Sequence, residues 1–232
     1  EALIYWTSPT TPEYVYYTSF EDSAAAGFTG QGGFEIGEPD YAFGPDPGSG
    51  TSCWGTNLIG TYENGAYATL TSPVFDISDM ASPIMQINHW YQIESYWDGG
   101  NVKISTDGGA TWVILLPEED YPEDAVYTGN AGIPGEVAYS GTTIGNFWHT
   151  VQFTLNASDS LVQFRFDFGS DASVQYAGWY IDDFVLMDGG DGRDVDGELN
   201  HYKVYQAGTL LDSTTSTSYL ATGLTNNQSY TF

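Results

Sequence analysis

The sequence predicts an all-β protein: a jelly-roll-like antiparallel sandwich followed by a second, smaller sandwich fragment. Three observations predict it. Clusters of Thr, Tyr, Val and Ile recur between Gly, Asp, Asn and Pro, the alternation of strands with turns. Aromatic residues make up 16% of the chain, beside 28 Gly and 10 Pro, and no long stretch carries a helical period. Several segments alternate with period two, as in Gly100-Asn-Val-Lys-Ile-Ser105, where Val102 and Ile104 share a face.

In chain order, Ala2-Leu-Ile-Tyr-Trp6 is apolar and reads as a strand, a Thr/Ser/Pro turn follows, and Tyr14-Val-Tyr-Tyr17 reads as a second strand. Phe20-Glu-Asp22 closes it, and a Gly-rich, loop-like region runs to about Gly50. From Cys53 strand signals become dense: 67–75, which runs into a Pro, the long 84–93, 100–105, and 112–116 across a Gly-Gly turn. Residues 147–155, 161–168 and 179–187 follow. Eight or more strands with long insertions suit a jelly roll. The Asp/Gly-rich stretch 188–197 breaks the composition. We therefore expect one domain over 1–188, a linker over 189–198 and a partial second domain over 199–232.

Net charge narrows the function. At −27 over 232 residues, the chain repels phosphate backbones and anionic lipid, so neither nucleic-acid binding nor membrane-surface binding is expected. No apolar run has the ~18 residues of a membrane-spanning helix. Cys53 is the only cysteine, so an intrachain disulfide is impossible, and its setting between Ser52 and Trp54 suits a small buried residue. The histidines are His89, His149 and His201, and no motif links one to Cys53. The chain begins at Glu1 without a leader and is expected to be a processed piece of a longer secreted protein.

The strand Gly178-Trp-Tyr-Ile-Asp-Asp-Phe184 carries two adjacent carboxylates. Strand geometry puts Trp179 and Ile181 on one face and Tyr180 and Asp182 on the other. A buried carboxylate needs a partner, and only Lys103, Lys203, Arg165 and Arg193 are basic, so a bound cation is the natural alternative. Ser105-Thr-Asp-Gly-Gly-Ala-Thr-Trp112 completes the pattern S-x-D-x-G-x-T-W and resembles the Asp-box hairpin of sialidases and other secreted β-proteins. Its chemistry is structural: Ser105, Asp107, Gly109, Thr111 and Trp112 form the box, with Asp107 accepting turn amides, Gly108 and Gly109 free to take positive φ, and Trp112 under the hairpin.

A wider pattern runs through Ser19-Phe-Glu-Asp22, Cys53-Trp-Gly-Thr-Asn-Leu58, Leu70-Thr-Ser-Pro-Val-Phe-Asp-Ile-Ser78, Ile87-Asn-His-Trp-Tyr91, the stretch 98–109, Trp148, Phe164-Arg-Phe166 and Gly178-Trp-Tyr-Ile-Asp-Asp183. In this order it resembles the MAM-like jelly-roll modules of secreted bacterial proteins, similar to those of immune-inhibitor-A-type metalloproteases and of cleaved-adhesin domains. The resemblance covers roughly residues 15–188. It implies a structural calcium held by Glu21 and Asp182, with Asp22 and Asp183 as further ligands; calcium takes six to eight oxygens, many of them carbonyls. The C-terminal segments Tyr202-Lys-Val-Tyr205, Tyr219 and Tyr230-Thr-Phe232 resemble the middle of a fibronectin type III domain whose first strands and last are missing. An incomplete sandwich exposes strand edges, and Ala2-Leu-Ile-Tyr-Trp6 from a neighbouring copy or domain is one segment that could complete it.

Other acids offer weaker sites. The loop 117–124 could hold a second cation or be a solvated loop, and Asp194, Asp196 and Gly197 match an EF-hand loop only in part. Tyr91, Tyr96 and Trp97 cluster near Asp98, with Tyr121, Tyr127 and Tyr139 in loops. These aromatics could form a glycan face, with Tyr96, Trp97 and Asp98 as ligand contacts, or pack as core. No H-E-x-x-H motif is present, and no carboxylate pair is singled out for hydrolysis. The expected function is a non-catalytic, calcium-stabilised extracellular module for adhesion or assembly, with neighbouring domains or copies as partners. A carbohydrate-binding module and a subunit of a strand-exchanged filament are the alternatives.

Overall fold

Residues 2–5, 13–21, 25–189, 202–206, 209–214 and 218–221 are described by the computed structural model. Among them helix is confined to the single turns Ala25–Gly27 and Ile144–Asn146. The strands are β1 (Ala2–Tyr5), β2 (Glu13–Thr18), β3 (Thr29–Gln31), β4 (Glu35–Gly37) and β5 (Cys53–Gly55). Then follow β6 (Tyr67–Asp76), β7 (Pro83–Gln92), β8 (Gly99–Ser105), β9 (Val113–Ile114) and β10 (His149–Thr154). The last are β11 (Leu161–Gly169), β12 (Gly178–Asp188), β13 (Tyr202–Gln206), β14 (Thr209–Thr214) and β15 (Ser218–Ala221).

The chain divides into two compact units, 14–188 and a second made of 1–13 with 189–232. In the large unit, one sheet runs β10-β7-β12-β5-β4 with β2 also on β12, and the other runs β3-β6-β11-β8-β9. The registered pairs are antiparallel, as in Ile181 opposite His89 and Phe166 opposite Val102. The alternation seen in the sequence builds the core. Phe164, Phe166 and Phe168 leave one face of β11 and meet Ile87, Trp179 and Ile181 from the opposing sheet, all fully buried. Such rings contribute most of the burial energy, at roughly 25 cal/mol per Å² of apolar surface.

The segment 28–37, expected to be a loop, holds the short strands β3 and β4 around a turn with Gly32 at φ 66° and Gly33 at φ 131°. Glycine hides the strand signal here for a steric reason. A Cβ at Gly30 would lie 2.3 Å from the Phe34 carbonyl oxygen and 2.6 Å from the Trp54 ring. β9 covers only Val113–Ile114 of the expected 112–116.

β12 departs from period two. Its pairing with β7 slips between Asp182 and Val185, and Asp183 takes φ 46°. Strict alternation would aim Asp183 at the core beside Ile181. The inserted residue, a β-bulge, gives that place to Phe184, which stacks on Phe75 at 5.6 Å and 15°.

In the small unit, β13 and β14 form a hairpin, and β1 pairs antiparallel with β15, from Ala2 opposite Ala221 to Tyr5 opposite Ser218. The segment 2–5 is thus paired with the C-terminal strand β15 of its own chain. The expected strand at 229–232, Trp6, the linker residues 190–198 with Asp194, Asp196 and Gly197, and His201 lie outside the described residues.

Candidate functional site

The structure brings Glu21 and Asp182 to one loop, 49–52. The Glu21 carboxylate accepts the Thr51 and Ser52 amides at 2.9 Å and the Thr51 hydroxyl at 3.0 Å. These donors hold its pKa below the usual glutamate value, the Ser52 amide first. Asp182 is fully buried; its Oδ2 accepts the Ser49 amide at 2.9 Å and its Oδ1 the Asp183 amide at 2.8 Å. Burial pushes its carboxyl up to about 7, with the neighbouring charges of Asp183 and Glu21 adding to the rise. Asp183 accepts the hydroxyls of Ser49 at 2.8 Å and Tyr17 at 3.1 Å. Asp22 lies outside the described residues. Glu21, Asp182 and Asp183 therefore grip the loop between them, its amides supplying part of the positive charge that a cation would bring. Each carboxylate keeps lone pairs that no donor among the described residues takes up.

A second acidic group was not foreseen. Glu94, Asp98 and Asp171 place carboxylate oxygens within 4.8 Å of one another, the one such group of three among the described residues. Asp98 is fully buried, accepts the Tyr62 hydroxyl at 2.7 Å and the Asp171 amide at 2.6 Å, and is pushed up to about 6 by burial. Glu94 Oε2 is buried without a hydrogen-bond partner. The spacing of Glu94 and Asp98 was visible in the sequence. Asp171 comes from the loop after β11, and only the fold brings it in.

Between these two acids the chain makes a tight turn. Asp98 N–H donates to Glu94 O at 3.1 Å, and Tyr96 takes the left-handed φ of 73°. The turn is pinned from outside: Tyr96 N–H donates to Ser140 Oγ at 3.0 Å, Tyr127 N–H to Tyr96 O at 2.8 Å, and Asn130 Nδ2 to Trp97 O at 3.0 Å. It presents Trp97 edge-on between Tyr96 at 5.4 Å and Tyr127 at 4.7 Å. Tyr96 and Trp97 are 49% and 39% exposed, which makes them available to a ligand. Of the other aromatics of the expected glycan face, Tyr127 is half-buried beside Trp97 and Tyr91, Tyr121 and Tyr139 are buried, Tyr121 donating its hydroxyl to Leu115 O at 2.8 Å. Asp98, expected as a surface contact beside Trp97, points inward instead.

The remaining polar groups are structural. Asp107 accepts the Thr111 amide at 2.9 Å and its hydroxyl at 2.6 Å, while Gly109 N–H donates to Ser105 Oγ at 2.8 Å. These bonds hold Asp107 down at about 2, and Gly108 and Gly109 take φ 73° and 87°. Arg165 lies 4.5 Å over the Trp112 ring. Buried Asp167 receives Lys103 Nζ at 3.0 Å and Arg165 Nε at 2.5 Å. His89 is buried and accepts Trp179 Nε1 at Nδ1 over 3.2 Å; His149, half-buried, pairs with Glu119 at 2.9 Å. Cys53 is buried, and burial pushes its thiol up.

No family model matches this chain. Bacillopeptidase F of Bacillus subtilis (strain 168) is 31% identical to it over 185 residues, 78% of this chain. The chain spans 11% of that protein's length. Among solved structures, the K1 cleaved adhesin domain of Lys-gingipain from Porphyromonas gingivalis W83 is similar at 14% identity and a TM-score of 0.43, over 75% of this chain and 98% of that one. The C-terminal family 22 carbohydrate-binding module of Clostridium thermocellum Xyn10B is similar at 15% identity and a TM-score of 0.41, over 78% of this chain and 98% of that one.

Proposed function

We propose that this chain is a non-catalytic adhesion or binding module of a larger extracellular protein, and that the turn at 94–98 is its contact surface for glycans. One observation carries the reading: two exposed rings, Tyr96 and Trp97, stand on a left-handed turn fixed by four hydrogen bonds. Positive φ at a bulky residue is costly and marks sites where function holds it. A ring already fixed loses little entropy when a sugar stacks on its face. The non-catalytic part of the reading is supported by how the buried titratable groups are used. Asp167, Asp182, Asp98 and His89 are all engaged in contacts that hold the fold. A match to 11% of Bacillopeptidase F supports a module attached to something larger.

Calcium belongs to the same proposal, with Glu21, Asp182 and Asp183 as its side-chain oxygens. Burial first, and then the charges of Asp183 and Glu21, lift Asp182 to about 7 in spite of the loop amides, and a divalent cation is the group that would relieve it. The ion would tie β12 to the segment after β2 and would take no part in chemistry.

The contact surface is tested on a glycan array with the wild type, Tyr96→Ala and Trp97→Ala. Binding by the wild type that falls at least about tenfold in Trp97→Ala is expected. Equal binding by all three proteins refutes the turn as the contact surface.

A further inference from the structure

We infer that the open cleft formed by Tyr41, Phe43, Gln92, Asn146, Gln175 and Tyr176 is a second binding site, and that its ligand is a neutral polysaccharide chain. The inference rests on the glycan reading for the class of ligand, but on none of the residues of the 94–98 turn.

The cleft holds about 530 Å³, the size of a small-molecule site. Its lining is chemically distinctive. The six side chains are three aromatic rings and three carboxamides, and the rest of the lining is Ala and Gly. In a chain with 31 acids, a cleft without a single charged side chain is unusual. The amides of Gln92, Asn146 and Gln175 point no donor or acceptor at another described side chain or backbone group, so their hydrogen bonds are open to a ligand. Phe43 and Tyr176 are 72% and 41% exposed, which leaves ring surface open to a ligand.

Sugars match this combination. A pyranose offers C–H faces that stack on rings and hydroxyl edges that pair with carboxamides, which both donate and accept. A charged ligand would find no counter-charge in the cleft, and an anionic polymer is repelled by the net charge of −27.

Four separate segments build the cleft, and each is held in place, Gln92 by its pairing with Gly178 in the β7–β12 ladder. Gly44 N–H donates to Tyr41 O at 2.9 Å, closing the turn that carries Phe43, and Tyr41 meets Phe43 edge-on at 5.6 Å. Asn146 takes a left-handed φ of 60°, fixed by its own N–H on Thr143 O at 2.9 Å and by Trp90 Nε1 on its carbonyl at 3.2 Å. The Tyr176 carbonyl accepts the Tyr62 amide at 3.2 Å, just after Val174 at φ 57°. A cleft whose walls are fixed by hydrogen bonds before the ligand arrives loses little entropy on binding. Gln92 ends β7 two residues before Glu94, so the cleft and the aromatic turn sit at the same end of that strand.

The test is native gel electrophoresis through gels containing hydroxyethylcellulose, xylan, glucomannan or, as the anionic control, polygalacturonate. At least one neutral polymer should retard the wild type, and polygalacturonate should not. Phe43→Ala/Gln175→Ala/Tyr176→Ala should weaken that retardation at least about tenfold. Phe43→Ala alone, at an exposed ring, serves if the triple variant melts early. Loss in the cleft variants with retention in Trp97→Ala upholds the cleft and refutes the turn. Loss in Trp97→Ala with retention in the cleft variants refutes the cleft and leaves the turn standing. Retardation by polygalacturonate alone, or by no polymer, overturns the cleft.

Discussion

Replacing Asp167 by Asn should destabilise the large unit by about 3 kcal/mol, the lower end of the cost of breaking a buried ion pair. Asp167 is fully buried and accepts three charged donors: Lys103 Nζ at 3.0 Å, Arg165 Nε at 2.5 Å and Arg165 Nη2 at 2.8 Å. Arg165 and Lys103 stand directly opposite each other in the β11–β8 ladder, so Asp167 also keeps two like charges compatible. Asn keeps the volume, removes the charge and turns an NH2 toward a cation. The cost stays near the lower end because Lys103 retains Glu136 at 2.7 Å and the Arg165 side chain is 20% exposed. Thermal unfolding followed by tryptophan fluorescence should show a midpoint lower by roughly 6–12 °C, at 2–4 °C per kcal/mol for a domain of this size. Added salt should leave the deficit in place, because a buried pair is poorly screened. Lys103→Met leaves the two-pronged Arg165 contact intact and should cost less. A deficit below about 1 kcal/mol for Asp167→Asn, or one that vanishes in salt, would refute the reasoning.

Two further outcomes follow from the site geometry. His89 accepts a bond at Nδ1 in a buried setting, which holds its pKa down at about 3, burial first and the His149 charge second. A depressed histidine contributes stability above its unfolded pKa of about 6.5 and loses it as pH falls toward the folded value. His89→Gln should therefore flatten the fall in stability between pH 6.5 and 4 in urea titrations, by on the order of a few kcal/mol; parallel curves would sink the assignment. For calcium, a chelator should lower the melting midpoint of wild-type protein equilibrated with the ion, and should do so far less in Glu21→Gln. An ion at a hundred times its dissociation constant adds about 2.7 kcal/mol, so an unchanged midpoint counts against it.

Long strands were legible in the sequence because burial on one side writes itself as alternation. Phe164, Phe166 and Phe168 on β11, and Trp179 and Ile181 on β12, face the core as their spacing requires. β3 and β4 were not legible, since glycines placed for close backbone approach erase the side chains that would signal a strand. The bulge at Asp183 was hidden for another reason: two adjacent acids look alike until the pairing partner is known. In the site, the resemblance to MAM-like modules implied the meeting of Glu21 and Asp182, and the fold brings them to one loop. Asp171 joins Asp98 only through the packing of loops 73 residues apart. Exposure was the least legible quantity. Tyr121 and Trp97 both stand among acids and turn residues, yet one is a buried strut and the other faces solvent.

The pairing of β1 with β15 has a consequence for how the chain is made. β1 is synthesised well before its partner β15, with the whole jelly roll made in between. Until then its edge is unsatisfied, and contacts between such distant segments form late. A strand edge cannot tell its own chain's β15 from that of another copy, because the ladder is read by backbone groups alike in both. What favours the chain's own partner is tethering, which acts as a local concentration on the order of millimolar. Tethering therefore favours the pairing of β1 with its own β15 over exchange between copies wherever the chain is more dilute than that local concentration.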